Sequence, residues 1–463
     1  MTEEPSLAVV GAGPAGLAAA LAAAARGVRV TLLDAAGQAG GQIHRQPAPA
    51  LAARRDRHGG RTWERLRAGL EHHRAAGRIT HLTDHHVWCV VRASGSGTFA
   101  VHALRGPAQE EGVTVRAAAV LLATGGYERV LPFPGWTLPG VVTAGGAQAL
   151  LKGGPVPPPG RTAVVAGTGP LLLPVAAGLA AAGARVAALV ESAGPAALPR
   201  RAPALAAQPG KLAEGAGYAA RLLRHGVRVL TRHTVVAAHG TDRLTAVTVA
   251  ALDRHGRLRP GTARRVPCDT LAVGHGMLPH TDLAETLGCA LSGTAVRVDA
   301  EQRTDVPGVW AAGEATGIGG AALALAEGHI AGRSAAARLY GTAPDPRGWA
   351  AADRARARAR TFAAALDAVY APPADWAERL PDDTVVCRCE EVTAGRVREA
   401  AGPLGAGDTR TVKLLTRAGM GWCQGRICAP AVAELAGCPL TAGRRPFARP
   451  VPLGVLAALP DLE

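Results

Sequence analysis

The feature that most constrains the fold is a glycine-rich turn near the N-terminus, within residues 7–34, which read LAVVGAGPAGLAAALAAAARGVRVTLLD. A short apolar run of strand length leads into Gly11, Gly13 and Gly16, which have the spacing G-x-G-x-x-G. An Ala-rich helix and a second strand follow. That strand ends at Asp34, at roughly the 20-residue distance where a carboxylate meets a ribose hydroxyl. This order predicts a β-α-β fold that binds an adenine dinucleotide.

Each residue of the turn has its own expected task. Gly11 allows the tight turn out of the strand, and Gly13 lets a pyrophosphate approach the bare backbone. Gly16 lets the following helix lie close to the sheet. Pro14 suits the first turn of that helix, where its missing N–H is not needed.

Composition limits the class of protein. At 463 residues the chain is long enough for two or three domains, and its hydrophobic content of 48% fits a folded chain. The net charge of +15 is almost all arginine, and aromatic residues make up only 3%, too few for a platform that stacks single-stranded bases. We therefore expect no nucleic-acid partner. We expect no membrane span in the uncharged stretch 6–25, because acidic residues precede it and glycines interrupt it.

A second, imperfect copy of the opening design occupies residues 161–191, with a strand, the turn GTGP, a helix, a strand and a terminal acid. This is an internal duplication of the dinucleotide fold. Leu172 stands where the third glycine belongs, and we expect it to push the helix off the strand or to fill the site. NAD(P) binding is therefore doubtful here. If a nucleotide binds, Glu191 favours NAD over NADP, because a carboxylate repels a 2′-phosphate.

The later motifs return to the first fold. The segment ATGG, with Thr124 and Gly125, and the segment AAGEA, with Gly313 and Glu314, both end apolar strands where backbone can run close to a flat cofactor. We predict an α/β protein with two Rossmann-like domains and a small helical C-terminal domain. The predicted divisions are a first dinucleotide domain in two parts (1–150 and 268–342), an inserted second Rossmann-like domain (151–267), a helical linker (343–380), a cysteine domain (381–445) and a tail (446–463).

Half of the eight cysteines are clustered near the C-terminus, with the pattern C-x-C, a gap of 33 residues and C-x4-C. Four thiolates bind either zinc or an iron–sulfur cluster. Zinc sites usually show C-x2-C pairs, so the spacing favours [2Fe–2S] and leaves zinc open. The clustering does not form a disulfide framework, and we see no secretion signal, so we expect a reducing cytoplasm. The four candidate ligands are Cys387, Cys389, Cys423 and Cys428.

The motifs GAGPAG, GGQIHRQ, ATGGYERVLPFPGWTLPG, AGTGPLLL and AAGEATGIGG occur in that order. They resemble the two-dinucleotide-domain flavoprotein subunits of opine oxidases, hydrogen cyanide synthases and hydroxyproline dehydrogenases. The cysteine segment resembles the [2Fe–2S] domain of bacterioferritin-associated ferredoxin, which favours iron–sulfur over zinc. The resemblance covers about residues 7–445.

The resemblance implies FAD in the first fold and a [2Fe–2S] cluster on the four cysteines. It also implies a second flavoprotein subunit that oxidises an amino or imino acid, often with a small ferredoxin-like subunit. In related flavoproteins the position of Glu314 is usually aspartate. The FAD-binding residues carried over by position are Gly11, Gly13, Pro14, Ala15, Gly16, Asp34, Gly41, Gln42, Thr124, Gly125, Gly313 and Glu314.

The predicted function is an electron-relay flavoprotein of an amino- or imino-acid dehydrogenase complex, of the proline, hydroxyproline, opine or glycine type. FAD takes electrons in pairs and the cluster passes them on singly. The sequence singles out no catalytic acid, base or nucleophile, which fits a substrate site on another chain. Two alternatives stay open: a self-sufficient NAD(P)H-dependent reductase that uses the second fold, and a non-enzymatic iron–sulfur carrier.

Overall fold

The computed structural model describes residues 5–47, 60–93, 97–106, 108–153, 160–194, 199–440 and 445–459. The chain divides into two compact units, and each is described by itself. Residues 1–127, 278–360 and 442–463 form unit 1, and residues 128–277 and 361–441 form unit 2. Among the described residues, we find no helix with the length and apolar character that crossing a membrane requires.

The strands of the described residues are labelled in chain order. They are β1 (Ser6–Val10), β2 (Arg29–Leu33), β3 (Ile79–Leu82), β4 (His85–Arg92), β5 (Phe99–Arg105), β6 (Glu111–Ala117), β7 (Ala119–Leu122), β8 (Gly126–Glu128), β9 (Val141–Thr143), β10 (Thr162–Gly167), β11 (Arg185–Glu191), β12 (Val229–Thr231), β13 (His233–His239), β14 (Ala246–Ala251), β15 (Arg264–Pro267), β16 (Thr270–Gly274), β17 (Met277–Pro279), β18 (Leu291–Ser292), β19 (Ala295–Val296), β20 (Val309–Ala311), β21 (Val385–Cys387) and β22 (Val392–Thr393).

The α-helices are labelled in the same way, and short 3-10 helices lie at Pro199–Arg201, Gly313–Thr316 and Pro346–Trp349. The α-helices are α1 (Pro14–Ala24), α2 (Gly60–Ala75), α3 (Ala144–Gly153), α4 (Leu172–Ala181), α5 (Ala202–Ala206), α6 (Pro209–Arg224), α7 (Asp282–Thr286), α8 (Gly320–Leu339), α9 (Ala350–Val369), α10 (Ala394–Ala401), α11 (Thr409–Thr416), α12 (Ala429–Leu435) and α13 (Leu453–Ala457).

Unit 1 is built on a five-stranded parallel sheet of order β20-β7-β1-β2-β3. Helices cover one face of this sheet, and its other face is buried against strands that include Val90 and Phe99. An antiparallel sheet, β4-β5-β6, accompanies it. The first strand lies at the centre, where Val9 pairs with Leu32 on one side and Leu121 on the other. The predicted opening β-α-β unit is confirmed.

Helices α1 and α8 pack closely against each other in unit 1 through small residues. A Cβ atom at Gly328 would lie 2.1 Å from the Ala15 carbonyl oxygen, and one at Gly332 would lie 2.2 Å from that of Ala19. Any side chain at these two positions would force the helices apart.

Unit 2 repeats the plan with a parallel sheet of order β12-β11-β10-β16-β9 and an antiparallel sheet, β13-β14-β15. The predicted internal duplication and the α/β class are therefore confirmed. The apolar residues of its central strands, such as Val164 and Val190, form a buried core.

The cysteine segment folds as a small domain within unit 2, made of the hairpin β21-β22 and helices α10 to α12, around a core that includes Val386 and Val412. The ring N–H of Trp136 donates a hydrogen bond to the Val385 carbonyl oxygen at 2.6 Å. Leu131 joins the core of the small domain, and Ile427 packs against the core of the second parallel sheet. The cysteine domain is thus anchored on the second copy of the fold.

The C-terminal segment, predicted as a tail, packs against the antiparallel sheet of unit 1. The Ala448 N–H donates to the Trp88 carbonyl oxygen at 2.8 Å. Val455 of α13 is buried with Trp88 and Leu104.

Candidate cofactor sites

The turn after β1 has a geometry that requires glycine at its first and last positions. Gly11 has φ +103°, and a Cβ there would lie 2.3 Å from the Ala123 carbonyl oxygen. A Cβ at Gly16 would lie 1.7 Å from the Gly11 carbonyl oxygen. These contacts let α1 begin at Pro14, directly above the end of the strand.

An open cradle lies at the start of α1. The nearest atom to a Cβ at Gly13 would be the Gly41 Cα at 3.8 Å, so the backbone is bare there. The N–H groups of Ala15 and Gly16 lie in the first helical turn, where they have no partner within the helix. Such groups favour an anion, so the cradle suits a pyrophosphate.

The second glycine loop covers this turn. The Gly40 N–H donates to the Ala12 carbonyl oxygen at 2.8 Å, which brings Gly41 against Gly13. The Gln42 side chain lies at the exposed edge and accepts a hydrogen bond from Arg45 at 3.0 Å.

Asp34 links the turn to the end of β2. Its carboxylate accepts hydrogen bonds from the Ala12 N–H at 2.5 Å and from the Ala36 N–H at 2.7 Å. Burial raises the pKa of Asp34, and the two N–H groups oppose that shift. The side chain therefore fixes the loop as well as lying where a ribose is predicted.

The ATGG segment after β7 lies beside the same turn, because Ala123 contacts Gly11. The Thr124 hydroxyl donates to the His280 carbonyl oxygen at 2.6 Å, and the His280 N–H donates to the Gly125 carbonyl oxygen at 3.0 Å. A Cβ at Gly125 would meet no atom of the described residues within 4 Å. The backbone here is held in place and open on one side.

Gly313 and Glu314 complete this cluster. A Cβ at Gly313 would lie 2.8 Å from the Ala15 Cβ, and one at Gly126 would lie 3.4 Å from a Glu314 carboxyl oxygen. Burial raises the pKa of Glu314. In the part of the chain that the structure describes, its carboxyl group has no hydrogen-bond partner, so a hydroxyl of a bound group fits there.

Glu327 was missed by the sequence reasoning. Its fully buried carboxylate accepts hydrogen bonds from the Gly313 N–H and the Thr316 hydroxyl, each at 2.9 Å, and from Arg360 at 2.5 Å. The Gly313 N–H therefore donates to a side chain of the protein itself, Glu327. The available signal was a single acid within the Ala- and Leu-rich sequence of α8.

The structure thus brings together the segments that carry the predicted FAD-binding residues. They come from four separate parts of the chain, and Gln42 is the most exposed member. The segments contain Gly11, Gly13, Pro14, Ala15 and Gly16, then Gly41 and Gln42, then Thr124 and Gly125, and finally Gly313 and Glu314, with Asp34 at the end of the neighbouring strand.

The four cysteines form two pairs within the small domain. The sulfur atoms of Cys389 and Cys423 lie 3.8 Å apart. Cys387 and Cys428 are buried and hydrogen-bonded to each other, and the Gly419 N–H donates to the Cys387 sulfur at 3.4 Å. The Cys428 hydrogen bond and nearby backbone N–H groups lower the pKa of Cys387 to about 5.

The two pairs of cysteines fit a two-iron cluster. Zinc would need all four sulfur atoms about 2.3 Å from one point. Across the described ranges, we find no group of three or more His, Cys, Asp or Glu side chains placed for one metal ion. Paired thiolates supply two ligands for each iron of a [2Fe–2S] cluster.

The turn of the second copy differs from that of the first. Helix α4 begins at Leu172, two residues past Pro170, whereas α1 begins at Pro14 itself. The Leu172 side chain is buried in the core. The Glu191 carboxylate accepts the Gly169 N–H at 3.0 Å, and burial raises the pKa of Glu191 to about 7. Displacement of the helix by Leu172 stays a prediction, and Glu191 holds an amide of this turn as Asp34 does in the first copy.

Comparisons with known proteins agree with both sites. The pyridine nucleotide-disulphide oxidoreductase family matches residues 5–333, and the BFD-like [2Fe-2S] binding domain matches residues 385–436. The HcnB subunit of hydrogen cyanide synthase from Pseudomonas aeruginosa is 36% identical over 91% of this chain and 90% of its own length. An opine oxidase subunit of Agrobacterium tumefaciens is 33% identical over 93% of this chain and 85% of its own length.

A solved structure shows the same fold. The crystal structure of L-proline dehydrogenase from P. horikoshii covers 98% of this chain and 81% of its own, with a TM-score of 0.65 and 20% identity. The family and the small domain imply FAD and a [2Fe–2S] cluster, and the residues present fit both. The chain therefore belongs to the pyridine nucleotide-disulphide oxidoreductase family, as a FAD-dependent oxidoreductase with a BFD-like [2Fe–2S] domain that is related to HcnB and to the opine oxidase subunit.

Proposed function

We propose that the protein is the electron-relay subunit of a complex that dehydrogenates an amino or imino acid of the proline, hydroxyproline, opine or glycine type. The carrying observation is the combination in one chain of an open dinucleotide cradle at Gly13 and paired cysteines at Cys389 and Cys423. Two relatives are themselves subunits, of hydrogen cyanide synthase and of opine oxidase. Their names support a partner subunit that carries the substrate site.

The residues of unit 1 have distinct parts in this function. The N–H groups of Ala15 and Gly16 bind the pyrophosphate of FAD, and Asp34 accepts a ribose hydroxyl while it holds the Ala12 amide. The buried carboxyl group of Glu314 accepts a hydrogen bond from a further hydroxyl of FAD. Glu327 is a positioning residue, because it fixes the Gly313 backbone from inside the protein.

The four cysteines of unit 2 hold the cluster. Cys387 and Cys428 bind from the buried side, and Cys389 lies at the exposed side. When bound, FAD takes up an electron pair and releases electrons singly, and the [2Fe–2S] cluster carries one electron at a time. Cysteine ligands must stay reduced, so we place the protein in the cytoplasm.

We infer that the partners are a second flavoprotein subunit of the amino-acid-oxidase type and a small ferredoxin-like subunit. We assign no NAD(P)H reaction to the second copy, since α4 begins two residues past Pro170 and Leu172 stands at the third glycine position. A self-sufficient reductase would need that site open.

The test is an anaerobic titration of the holoprotein, alone and with its partner subunit, followed by optical and EPR spectra together. The probes are proline, hydroxyproline, an opine, glycine and NAD(P)H. We expect flavin bleaching and a reduced-cluster signal with one of the amino or imino acids, and only when the partner is present. Bleaching of the flavin by NADH or NADPH within seconds would favour the self-sufficient NAD(P)H-dependent reductase instead. Protein that purifies without flavin would favour the non-enzymatic iron–sulfur carrier.

A further inference from the structure

The exposed cysteine pair lies among large apolar side chains that face solvent. Trp422, next to Cys423, is 68% exposed, and Leu414 is 63% exposed. Exposed tryptophan and leucine next to a functional group are typical of an interaction site. Cys389 itself is also exposed.

Contacts within the small domain link the end of α11, the helix that carries Leu414, to the neighbour of Cys389. Val412 and Thr416 point α11 into the core, which leaves Leu414 on its outer side. Arg417 ends that helix and donates to Glu390, the neighbour of Cys389, at 2.9 Å.

The loop that carries Trp422 lies directly on Cys389. A Cβ at Gly421 would lie 2.2 Å from the Cys389 Cβ, and the two sulfur atoms of the exposed pair are 3.8 Å apart. We call this surface the thiolate face, and it comprises Arg388, Cys389, Arg410, Leu414, Arg417 and Trp422.

The charge around the thiolate face is mostly basic. Residues 387–428 contain seven basic and four acidic side chains, and the whole chain has a net charge of +15. Of the acids, Glu390 is paired with Arg417, and Asp408 caps α11 through the Thr411 N–H. The basic side chains of Arg388 and Arg410 are exposed.

We infer that the thiolate face is the docking surface for an acidic protein that carries one electron at a time. Trp422 and Leu414 are its apolar anchors, and the arginines around them select acidic partners and speed their approach. The inference rests on the proposed function, because it gives the cluster electrons a route to another protein. An interface of modest area suits such a transient electron-transfer encounter.

The test uses the full holoprotein and needs no substrate. Reduced acidic plant-type [2Fe–2S] ferredoxin is the probe, since its low potential drives electrons into the cluster. Rapid-freeze EPR gives the bimolecular rate constant of cluster reduction. We expect this constant to fall steeply between about 20 mM and about 200 mM salt as screening shortens the reach of the charges.

Variants locate the contact. Trp422→Ala and Leu414→Ala should each lower the rate constant by about tenfold, and Arg410→Glu should lower it and flatten its salt dependence. The matched controls are Leu223→Ala and Arg224→Glu on α6 of the same unit, where Leu223 is 79% exposed, and these should leave the rate unchanged. The cluster EPR spectrum of each variant reports on its integrity, and the two variants on α11 decide the question if Trp422→Ala disturbs Cys423.

Three results would overturn the docking surface: equal rates in the variants and the wild type, a rate constant that does not change with salt, or a block of ferredoxin by the second flavoprotein subunit. The last result would make the face a subunit interface. In each case the substrate titration described above could still succeed, so a failed docking surface is distinguishable from a failed relay.

Discussion

The two dinucleotide-type folds of this chain share one backbone plan and differ in a single turn. In the first, Gly16 lets α1 begin at Pro14. In the second, Leu172 is buried in the core and α4 begins two residues past Pro170. The backbone is open at the middle glycine of both turns, Gly13 and Gly169, so the two turns differ in the residue at the third glycine position and in where the helix begins. The N–H groups of the first helical turn bind a phosphate, so this difference bears on anion binding.

The second copy has a different task. Trp136 and Leu131 connect it to the cysteine domain, and Ile427 of that domain packs against its sheet. A duplicated nucleotide fold can thus lose its binding turn and still be required, because its core supports another domain. Four experiments test this contrast.

Making the first turn like the second should have the largest effect. In Gly16→Leu, the new side chain meets the Gly11 carbonyl oxygen, since even a Cβ would lie 1.7 Å away. We expect loss of about 1–3 kcal/mol of stability or more from overpacking, and protein without bound flavin. The flavin-to-protein ratio after purification measures this. The control, Leu172→Gly, should keep its flavin, and a yellow Gly16→Leu protein would contradict the role of the turn.

Glu327→Gln should have the next largest effect, through the support of the first site. The change removes the ion pair with Arg360 and disturbs the acceptors of the Gly313 and Thr316 groups, so we expect about 1–3 kcal/mol lower stability and faster flavin loss in urea. Glu301→Gln is the matched control, because its pair with Arg338 is more exposed. Its effect should stay below about 1 kcal/mol. Equal effects of the two changes on stability and flavin loss would contradict the proposal that Glu327 positions the Gly313 backbone.

Trp136→Phe tests the second copy as a support. It keeps an aromatic ring and removes the hydrogen bond to the Val385 carbonyl oxygen. The loss of this bond should lower stability by about 1 kcal/mol. We expect the cluster absorbance to disappear at lower urea while the flavin is retained. Trp88→Phe is the control, since the Trp88 ring N–H has no partner within the described residues. Unchanged cluster retention in Trp136→Phe would mean that the hydrogen bond from Trp136 to Val385 does not stabilise the cysteine domain.

The most local expected effect concerns Glu191 and pH. Its pKa is about 7 in the folded chain against an ordinary value of 4.5, so between these values the unfolded chain releases a proton that the folded chain keeps. The local stability of β10 and β11 should fall as pH rises from about 4.5 to about 7, by less than about 1 kcal/mol per pH unit. Hydrogen exchange of peptides from these strands measures it. Glu191→Gln should abolish the fall, and an unaltered pH dependence would point to another group.

The sequence allowed the fold class, the duplication and the family to be predicted, because strand, glycine turn and helix follow one another locally. The spacing of Gly11, Gly13 and Gly16 fixes a turn within six residues, and Leu172 departs from it visibly. The set of four cysteines could be predicted from its spacing, but the pairing of Cys389 with Cys423 could not, because they lie 34 residues apart. Which residues bind FAD stays a prediction that the convergence of their segments supports.

What could not be predicted involves partners far apart along the chain. Glu327 meets Gly313 and Arg360 only after α8 and α9 have packed, and the hydrogen bond from Trp136 to Val385 joins residues 249 positions apart. Such side chains follow no periodic pattern in the sequence. Which partners they meet depends on tertiary packing, and the neighbouring residues in the sequence do not determine that packing.

The close contact of α1 with α8 sets the order in which the protein can mature during synthesis. Helix α1 precedes Gly328 and Gly332, which it needs as neighbours, by about 300 residues of translation. At about 5–20 residues per second, the first dinucleotide fold waits roughly 15–60 s for its last helix. During that time residues 128–277 of unit 2 leave the ribosome as one continuous piece. Helix α1 is therefore made well before the fold around it can close, and flavin uptake should follow release of α8 from the ribosome.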